Sequence, residues 1–472
     1  MRLFEVLLLI ASLSLLWQVI WLRKRPGVII LRGAPLLLFV ISICHLVMEG
    51  GRWQMAPVYV AVVLVLWKYG VWSLKGAPTE RTGMRTPILL SIVALPFTLM
   101  AAVVPVLLPV FSFEKPTGPY QVGTVSYTWT DTSRTGVDGM PRRVKTQVWY
   151  PAVADKSSVE ERYISDLPEF SEVIQERYGL PPLWLRYIDL VKTNTYSHAA
   201  FAHDLEAAPL LFFSHGNMLG ARFTNSFQTI ELASHGYVVV AVEHPGTALL
   251  TTYADGTYEV FTDTSSHLPM EYQVQNEATI PIINEQTKDI VFVLEQMKQM
   301  GEENANSPLI GKIDFARLGV IGHSQGGATA VDVLYKNRAF QAAIDMDGYM
   351  YGEARADALD RPVMVLQGGF ELEELASPPE MEQIEQQRRE QVLANKGSIL
   401  YLEQAGHLSF TDIPLYTPLI EMLSPNIVEQ HKIINEATLC FMNRHLKKDQ
   451  SASCEYLPQK YAGVRLQNVG WQ

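Results

Sequence analysis

Cysteine is nearly missing from this chain: Cys44, Cys440 and Cys454 are the three in 472 residues. No C-x-x-C pair and no cysteine–histidine cluster occurs, so a zinc site is not expected, and nothing calls for a cofactor. Charge is sparse too, at 18% Asp, Glu, Lys and Arg. The acidic residues outnumber the basic ones, 49 to 38, for a formal net charge of −11. That balance argues against nucleic acid as a partner.

What the chain has in excess is apolar residues, 48% of the total, and they are unevenly spread. Four apolar stretches fill the first 113 residues: 3–22, 28–48, 55–74 and 88–111. Each is about 20 residues or longer, enough to cross a hydrocarbon core as a helix. The first is followed by Arg23-Lys24-Arg25-Pro26 rather than by a small-residue cleavage site, so an anchored helix is expected. Arg23, Lys24, Arg25 and Arg32 mark the first connection. Lys75, Arg81 and Arg85 mark the third, while the second carries Arg52 beside Glu49. Positive charge favours the cytoplasmic side. That rule puts the N-terminus and everything after Phe111 outside. His45 and Glu49 share a helix face four residues apart, near the outer boundary of the second span.

Residues 114–472 read as a separate domain. Tyr120–Thr130 and Val144–Tyr150 alternate in strand fashion around a polar turn, the pattern of a hairpin. Residues 165–198 form an irregular insertion whose Pro181-Pro182-Leu183-Trp184 stretch suits a cover, a bilayer contact or a core helix. Strands and helices then alternate. Strands are expected at 209–214, 237–242, 317–321, 342–346, 362–367 and 398–403, and helices at 223–235, 283–299, 328–335 and 428–445. Such alternation implies a mostly parallel sheet with helices on both faces. Ligands bind such sheets at the carboxyl ends of the strands.

Gly322-His323-Ser324-Gln325-Gly326 matches G-x-S-x-G between an expected strand and an expected helix. Five letters alone could be a tight turn without chemistry. In this setting they fit a nucleophile elbow, which exposes the serine and frees the next backbone N–H, that of Gln325, for an oxyanion. A serine nucleophile also needs a base and an acid. His407 follows the last expected parallel strand and lies after the serine, as the order serine, acid, histidine requires. His215-Gly216-Asn217 follows an earlier strand and suits an oxyanion loop, with the Asn217 N–H as second donor. His244, in a turn after another strand, reads as structural, and His323 points wrongly for a base. For the acid, two strand ends qualify: Asp347 before Gly348, and Glu371 after Gly368-Gly369-Phe370. Asp345 lies inside its strand and reads as buried.

These blocks, with Glu243-His244, Gly326-Gly327-Ala328-Thr329, Asp347-Gly348-Tyr349-Met350 and Gly406-His407-Leu408-Ser409-Phe410-Thr411-Asp412, resemble the platelet-activating-factor acetylhydrolase isoform II family and bacterial dienelactone-hydrolase-like relatives. The resemblance spans roughly 118–445 and implies an α/β-hydrolase fold. It implies Ser324, Asp347 and His407 as catalytic residues and favours Asp347 over Glu371. It further implies calcium-independent hydrolysis of short or oxidised acyl esters of phospholipids. Gln325 and Asn217 depart from the eukaryotic pattern, an aromatic and a leucine, where they border the acyl pocket. A general short-chain carboxylesterase or polyester-type hydrolase is the nearest alternative. An inactive, hydrolase-like membrane sensor is the alternative of another class. Cys440 and Cys454, if outside the cytoplasm, could pair; a buried Cys440 with a free Cys454 fits the sequence equally.

Overall fold

In the computed structural model the described residues are 1–21, 27–75, 84–136, 139–262, 267–301, 304, 306–353, 358–370 and 378–469. They fall into two compact units. One comprises Met1–Phe111 with Ile174–Val191 and Tyr416–Leu419, the other Ser112–Val173, Lys192–Leu415 and Ile420–Gln472.

The first unit is built on four helices: α1 (Leu3–Trp21), α2 (Val28–Cys44), α3 (Ala56–Lys75) and α4 (Arg85–Leu107). All four are long and apolar enough to cross a membrane once the turns flanking α2 and α3 are included. The fourth begins and ends a few residues earlier than its hydropathy suggests. The charged connections around 22–26 and 76–83 lie outside the described residues. One end of the bundle is polar. The Arg52 guanidinium donates to buried Glu5 at 2.7 and 3.0 Å. It also reaches the terminal carbonyls of α4, at Pro105 (3.0 Å) and Leu108. A helix end leaves such carbonyls without partners, and in an apolar setting each orphan is costly. Glu49 caps the start of α1 by accepting the N–H groups of Phe4 and Glu5 at 2.8 and 3.1 Å. It also holds His45 at 3.0 Å. His45 and Glu49 are therefore partners in a lock between helix ends. The insertion expected at 165–198 is divided. Its first half is α5 (Leu167–Tyr178), and Ile174–Val191 packs within the helical unit, where Trp184 stacks on Trp53 with ring centres 5.8 Å apart.

The second unit is built on one sheet. Its strands are β1 (Gln121–Thr135), β2 (Pro141–Val153), β3 (Thr195–Ser197), β4 (Ala200–Phe201), β5 (Ala208–Ser214), β6 (Val238–Glu243), β9 (Ile313–His323), β10 (Phe340–Met346), β11 (Val363–Gly368), β12 (Gly397–Leu402) and β13 (Val464–Val469). A separate hairpin pairs β7 (Leu250–Thr252) with β8 (Tyr258–Val260). The order is β13-β12-β11-β10-β9-β5-β6-β2-β1-β3, with β4 on β2. From β6 to β12 the pairing is parallel. The expected hairpin forms as β1–β2 and joins β6 antiparallel.

Helices cover both faces: α7 (Tyr272–Lys298), α8 (Gln325–Lys336) and α9 (Pro379–Leu393) on one, α6 (Ser226–Ser234) and α11 (Ile427–His445) on the other. Short α10 (Pro418–Glu421) and α12 (Leu457–Lys460) complete the elements. The strands explain the two cores. Leu210 and Phe212 of β5 face one core, Leu211 and Phe213 the other, and β6, β10 and β11 alternate likewise. Strands buried on both faces carry continuous apolar runs, so these positions are mostly Val, Ile, Leu, Phe and Met, with alanine at Ala241, Ala342 and Ala343. Burying each such side chain contributes about 1.5–3 kcal/mol. Register then sets the site. Gly322 of β9 lies between Ser214 of β5 and Asp345 of β10, so the residues that follow these strands emerge side by side at one edge.

Candidate active site

Ser324 stands between β9 and α8 with φ +56° and ψ −125°. A non-glycine residue with positive φ is strained, and such strain is kept only where the surroundings impose it. Here they do. The Ser324 N–H donates to Met346 O at 2.8 Å, and α8 starts at the very next residue. Gly322 shows how tight the turn is: a Cβ there would lie 1.9 Å from Gly326 O. A larger residue would push the helix off the strand.

His407 follows β12 in a short 3-10 turn, His407–Phe410, closed by Ser409 Oγ accepting the Gly406 N–H at 3.0 Å. Its Nε2 lies 3.1 Å from Ser324 Oγ, and its Nδ1 lies 2.7 Å from Asp347 Oδ2. A proton on Nδ1 satisfies the carboxylate and leaves Nε2 to accept the serine hydroxyl. Asp347 directly follows β10, also at positive φ (+56°). Its other oxygen accepts the Gly368 N–H at 2.7 Å. Burial works against its charge, but His407 and the Gly368 N–H outweigh it, and the carboxyl is held below its ordinary value of 3.8. Asp345 is fully buried, accepts the Gly348 N–H at 3.0 Å, and is pushed well up by burial. Glu371 lies outside the described residues.

Asn217 and Gln325 flank the serine. Gln325 is the first residue of α8, where backbone N–H groups have no helical acceptor and the dipole favours negative charge. The Asn217 N–H makes no backbone hydrogen bond among the described residues. Their side chains border a cavity of about 590 Å³ that also holds Ser324 and His407. Asn217 Oδ1 and Gln325 Nε2 are buried there without hydrogen-bond partners among the described residues. Gln275 and Thr279 extend this polar wall, while Phe370, Leu408 and Leu423 make an apolar one.

Two supports were not expected from the sequence. His323 lies under His407, and its Nε2 donates to the His407 carbonyl at 3.0 Å. Burial and the neighbouring His407 hold it down to about 3, so it is neutral. Asp412 accepts the N–H groups of Ser226 and Phe227 at 2.8 and 3.1 Å and the Tyr163 hydroxyl at 3.0 Å. It thereby ties the His407 loop to the start of α6, and burial pushes its carboxyl up to about 7. The sequence signal for both was adjacency to the chemistry, which does not specify a role. His244, read as structural, is fully buried.

The family model "Platelet-activating factor acetylhydrolase, isoform II" matches residues 109–457. The platelet-activating factor acetylhydrolase of Cavia porcellus is 28% identical over 283 residues, 52% of this chain and 59% of the relative. That of Bos taurus is 27% identical over 51% of this chain and 58% of the relative. A probable 1-alkyl-2-acetylglycerophosphocholine esterase of Arthroderma benhamiae is 27% identical over 52% and 60%. The chain thus spans about three-fifths of the length of these curated relatives. Among solved structures, a ferulic acid esterase from Streptomyces cinnamoneus superposes with a TM-score of 0.59 at 23% identity, covering 76% of this chain and 100% of the other. That likeness speaks to fold, which is the α/β-hydrolase fold.

Proposed function

From the premise that the chain belongs to the platelet-activating factor acetylhydrolase, isoform II, family, we propose that it is a serine ester hydrolase acting through an acyl-enzyme, on short or oxidised acyl groups of phospholipids. The observation that carries this is the unbroken chain Ser324 Oγ–His407–Asp347, with 3.1 and 2.7 Å links, on a strained strand-to-helix turn.

His407 takes the serine proton as Ser324 Oγ attacks the ester carbonyl. Asp347 fixes the imidazole tautomer and offsets its charge once protonated. The backbone N–H groups of Asn217 and Gln325 receive the developing oxyanion. His407 returns the proton to the leaving alcohol, and water repeats the sequence to release the acid. A second reading differs on substrate alone, a general short-chain carboxylesterase: Asn217 Oδ1 and Gln325 Nε2, without hydrogen-bond partners among the described residues, make a polar wall that suits a short acyl group whatever alcohol it is esterified to. A panel of p-nitrophenyl esters of graded length against acetylated and oxidised phospholipids separates the two, with Ser324→Ala as control. A wild-type chain inactive on every ester, and unlabelled by a fluorophosphonate at Ser324, would instead support the inactive-sensor reading.

The enzyme is read as a multi-pass membrane protein with its hydrolase unit on the extracytoplasmic side. The lysine and arginine bias of the connections supports this. So does the disulfide between Cys440 and Cys454, since such bonds persist in oxidising compartments. Anchoring would keep the site at high local concentration of lipid esters.

A further inference from the structure

The second oxyanion donor sits on a loop, and something must aim it. None of the described peptide bonds is cis. In the planar trans Gly216–Asn217 unit, therefore, the carbonyl and the following N–H point in opposite directions. Gly216 O is held by His215 Nδ1 at 2.8 Å. On the other side the loop crowds the nucleophile: a Cβ on Gly216 would lie 3.2 Å from Ser324 Cβ. Fixing the carbonyl therefore fixes where the Asn217 N–H points.

The His215 ring is pinned in turn. Its Nε2 accepts the His244 backbone N–H at 3.0 Å, so its single proton resides on Nδ1, as the bond to Gly216 requires. Burial holds the ring down to about 3, and it stays neutral. His244 is clamped through both nitrogens, by Asp289 Oδ2 at 3.0 Å and Ser214 Oγ at 3.0 Å. Asp289 also takes Arg142 at 2.7 and 2.6 Å and Arg134 at 2.9 Å. Ser214, His215, His244 and Asp289 are all fully buried. Ser214–His244–Asp289 thus has the make-up of a catalytic triad with no exposed atom to meet a substrate.

We propose that His215, held by the buried Ser214–His244–Asp289 chain, is the positioning residue of the oxyanion site, aiming the Asn217 N–H by fixing the carbonyl on the far side of the same peptide. The inference rests on the ester-hydrolase reading.

The test compares an ester with its thionoester, in which sulfur replaces the carbonyl oxygen, on the full chain in detergent. Oxyanion donors hold oxygen better than sulfur, so the wild type prefers the ester. His215→Ala should lower kcat on the ester by about 10²–10³-fold, the usual cost of one oxyanion donor, with KM changed little. It should shrink the ester-to-thionoester preference by a similar factor. Gly220→Ala attacks the same hydrogen bond from outside, because its Cβ would lie 2.0 Å from Gly216 O and 2.7 Å from His215 Nδ1. It should shift the preference the same way. His215→Asn, whose amide N–H can reach the same carbonyl, should restore part of it. A merely structural cluster would change stability and leave the preference alone. The inference is overturned if His215→Ala, folded by near-ultraviolet circular dichroism, keeps the wild-type preference. Where His215→Ala does not fold, Gly220→Ala decides by the same criterion. A wild type that cleaves no ester, or a Ser324→Ala variant as active as it, overturns the underlying reading instead.

Discussion

Ser324 and Asp347 both hold φ of +56°, at the ends of adjacent strands, and both are bound through backbone groups that leave their side chains free to meet His407. At this scale the chemistry is most exposed to test. Ser324→Ala should cut kcat for ester hydrolysis by about 10⁴-fold or more and abolish fluorophosphonate labelling. Asp347→Asn should cost about 10⁴-fold in kcat through the wrong His407 tautomer, with KM nearly kept. It also carries a pH signature. The folded carboxyl sits below its ordinary value of 3.8, so the folded state gives up this proton more readily than the unfolded one. The stability it supplies is full above about pH 4 and is lost as pH falls through the lowered value. The melting-temperature advantage of wild type over Asp347→Asn should therefore hold from about pH 6 down to about pH 4 and shrink as pH falls further; an advantage that grows below about pH 4 would contradict the assignment.

At the scale of elements, the site depends on packing that tolerates no added atom. The strand β9 and helix α8 meet at Gly322, whose hypothetical Cβ would overlap Gly326 O at 1.9 Å. Gly322→Ala should give protein that does not reach the native fold, read as loss of the cooperative melting transition. Behind the other face of the sheet, α11 is stapled to the segment before α12 by Cys440–Cys454, across a separation of 14 residues. A loop of that size is worth about 3 kcal/mol in the chain-entropy model. Changing both cysteines to serine should lower the melting temperature by several degrees with kcat intact, because neither cysteine lines the cavity around Ser324. Equal melting of the two proteins under non-reducing conditions would argue against the bond.

For the whole molecule, the helical unit is what puts the proposed extracytoplasmic reading to the test. The start of α1, the end of α2, the start of α3 and the end of α4 share the Glu5–His45–Glu49–Arg52 lock. Helices that alternate in direction return the chain to the side on which it began. The expected outcome is an active periplasmic-type reporter, such as a phosphatase, when fused at the C-terminus, and an inactive cytoplasmic one. The reverse pattern would refute the extracytoplasmic reading while leaving the hydrolase reading intact. Arg52→Ala should destabilise the unit, since it leaves Glu5 with Arg2 as its remaining cationic partner and strands the Pro105 and Leu108 carbonyls at the end of α4 in apolar surroundings. Protease resistance of the detergent-solubilised chain measures that loss.

Local periodicity determined much of this without any coordinates. Apolar runs of spanning length, strands of continuous Val, Ile and Phe, and glycines around Ser324 each have a physical cause acting within a few residues. They made four helices of membrane-spanning length, a mostly parallel sheet and the strand–turn–helix at Ser324 legible, and chain order pointed to His407. What local rules could not decide was which distant groups share a hydrogen bond. Asp347 and Glu371 both ended strands before or after glycine, and only the meeting of Asp347 with His407, 60 residues away, favours one. The Cys440–Cys454 pair was likewise open until the fold of the last helix brought the two together. The β13 edge, the β7–β8 hairpin and the packing of Ile174–Val191 with the helical unit left no strong periodic trace, because their partners are remote in sequence. His215, His244 and Asp289 read singly as a loop histidine, a turn histidine and a helix carboxylate. Burial in one place, with every donor and acceptor matched, makes them a chain that ends on the peptide beside Ser324, and that matching exists only in the folded state.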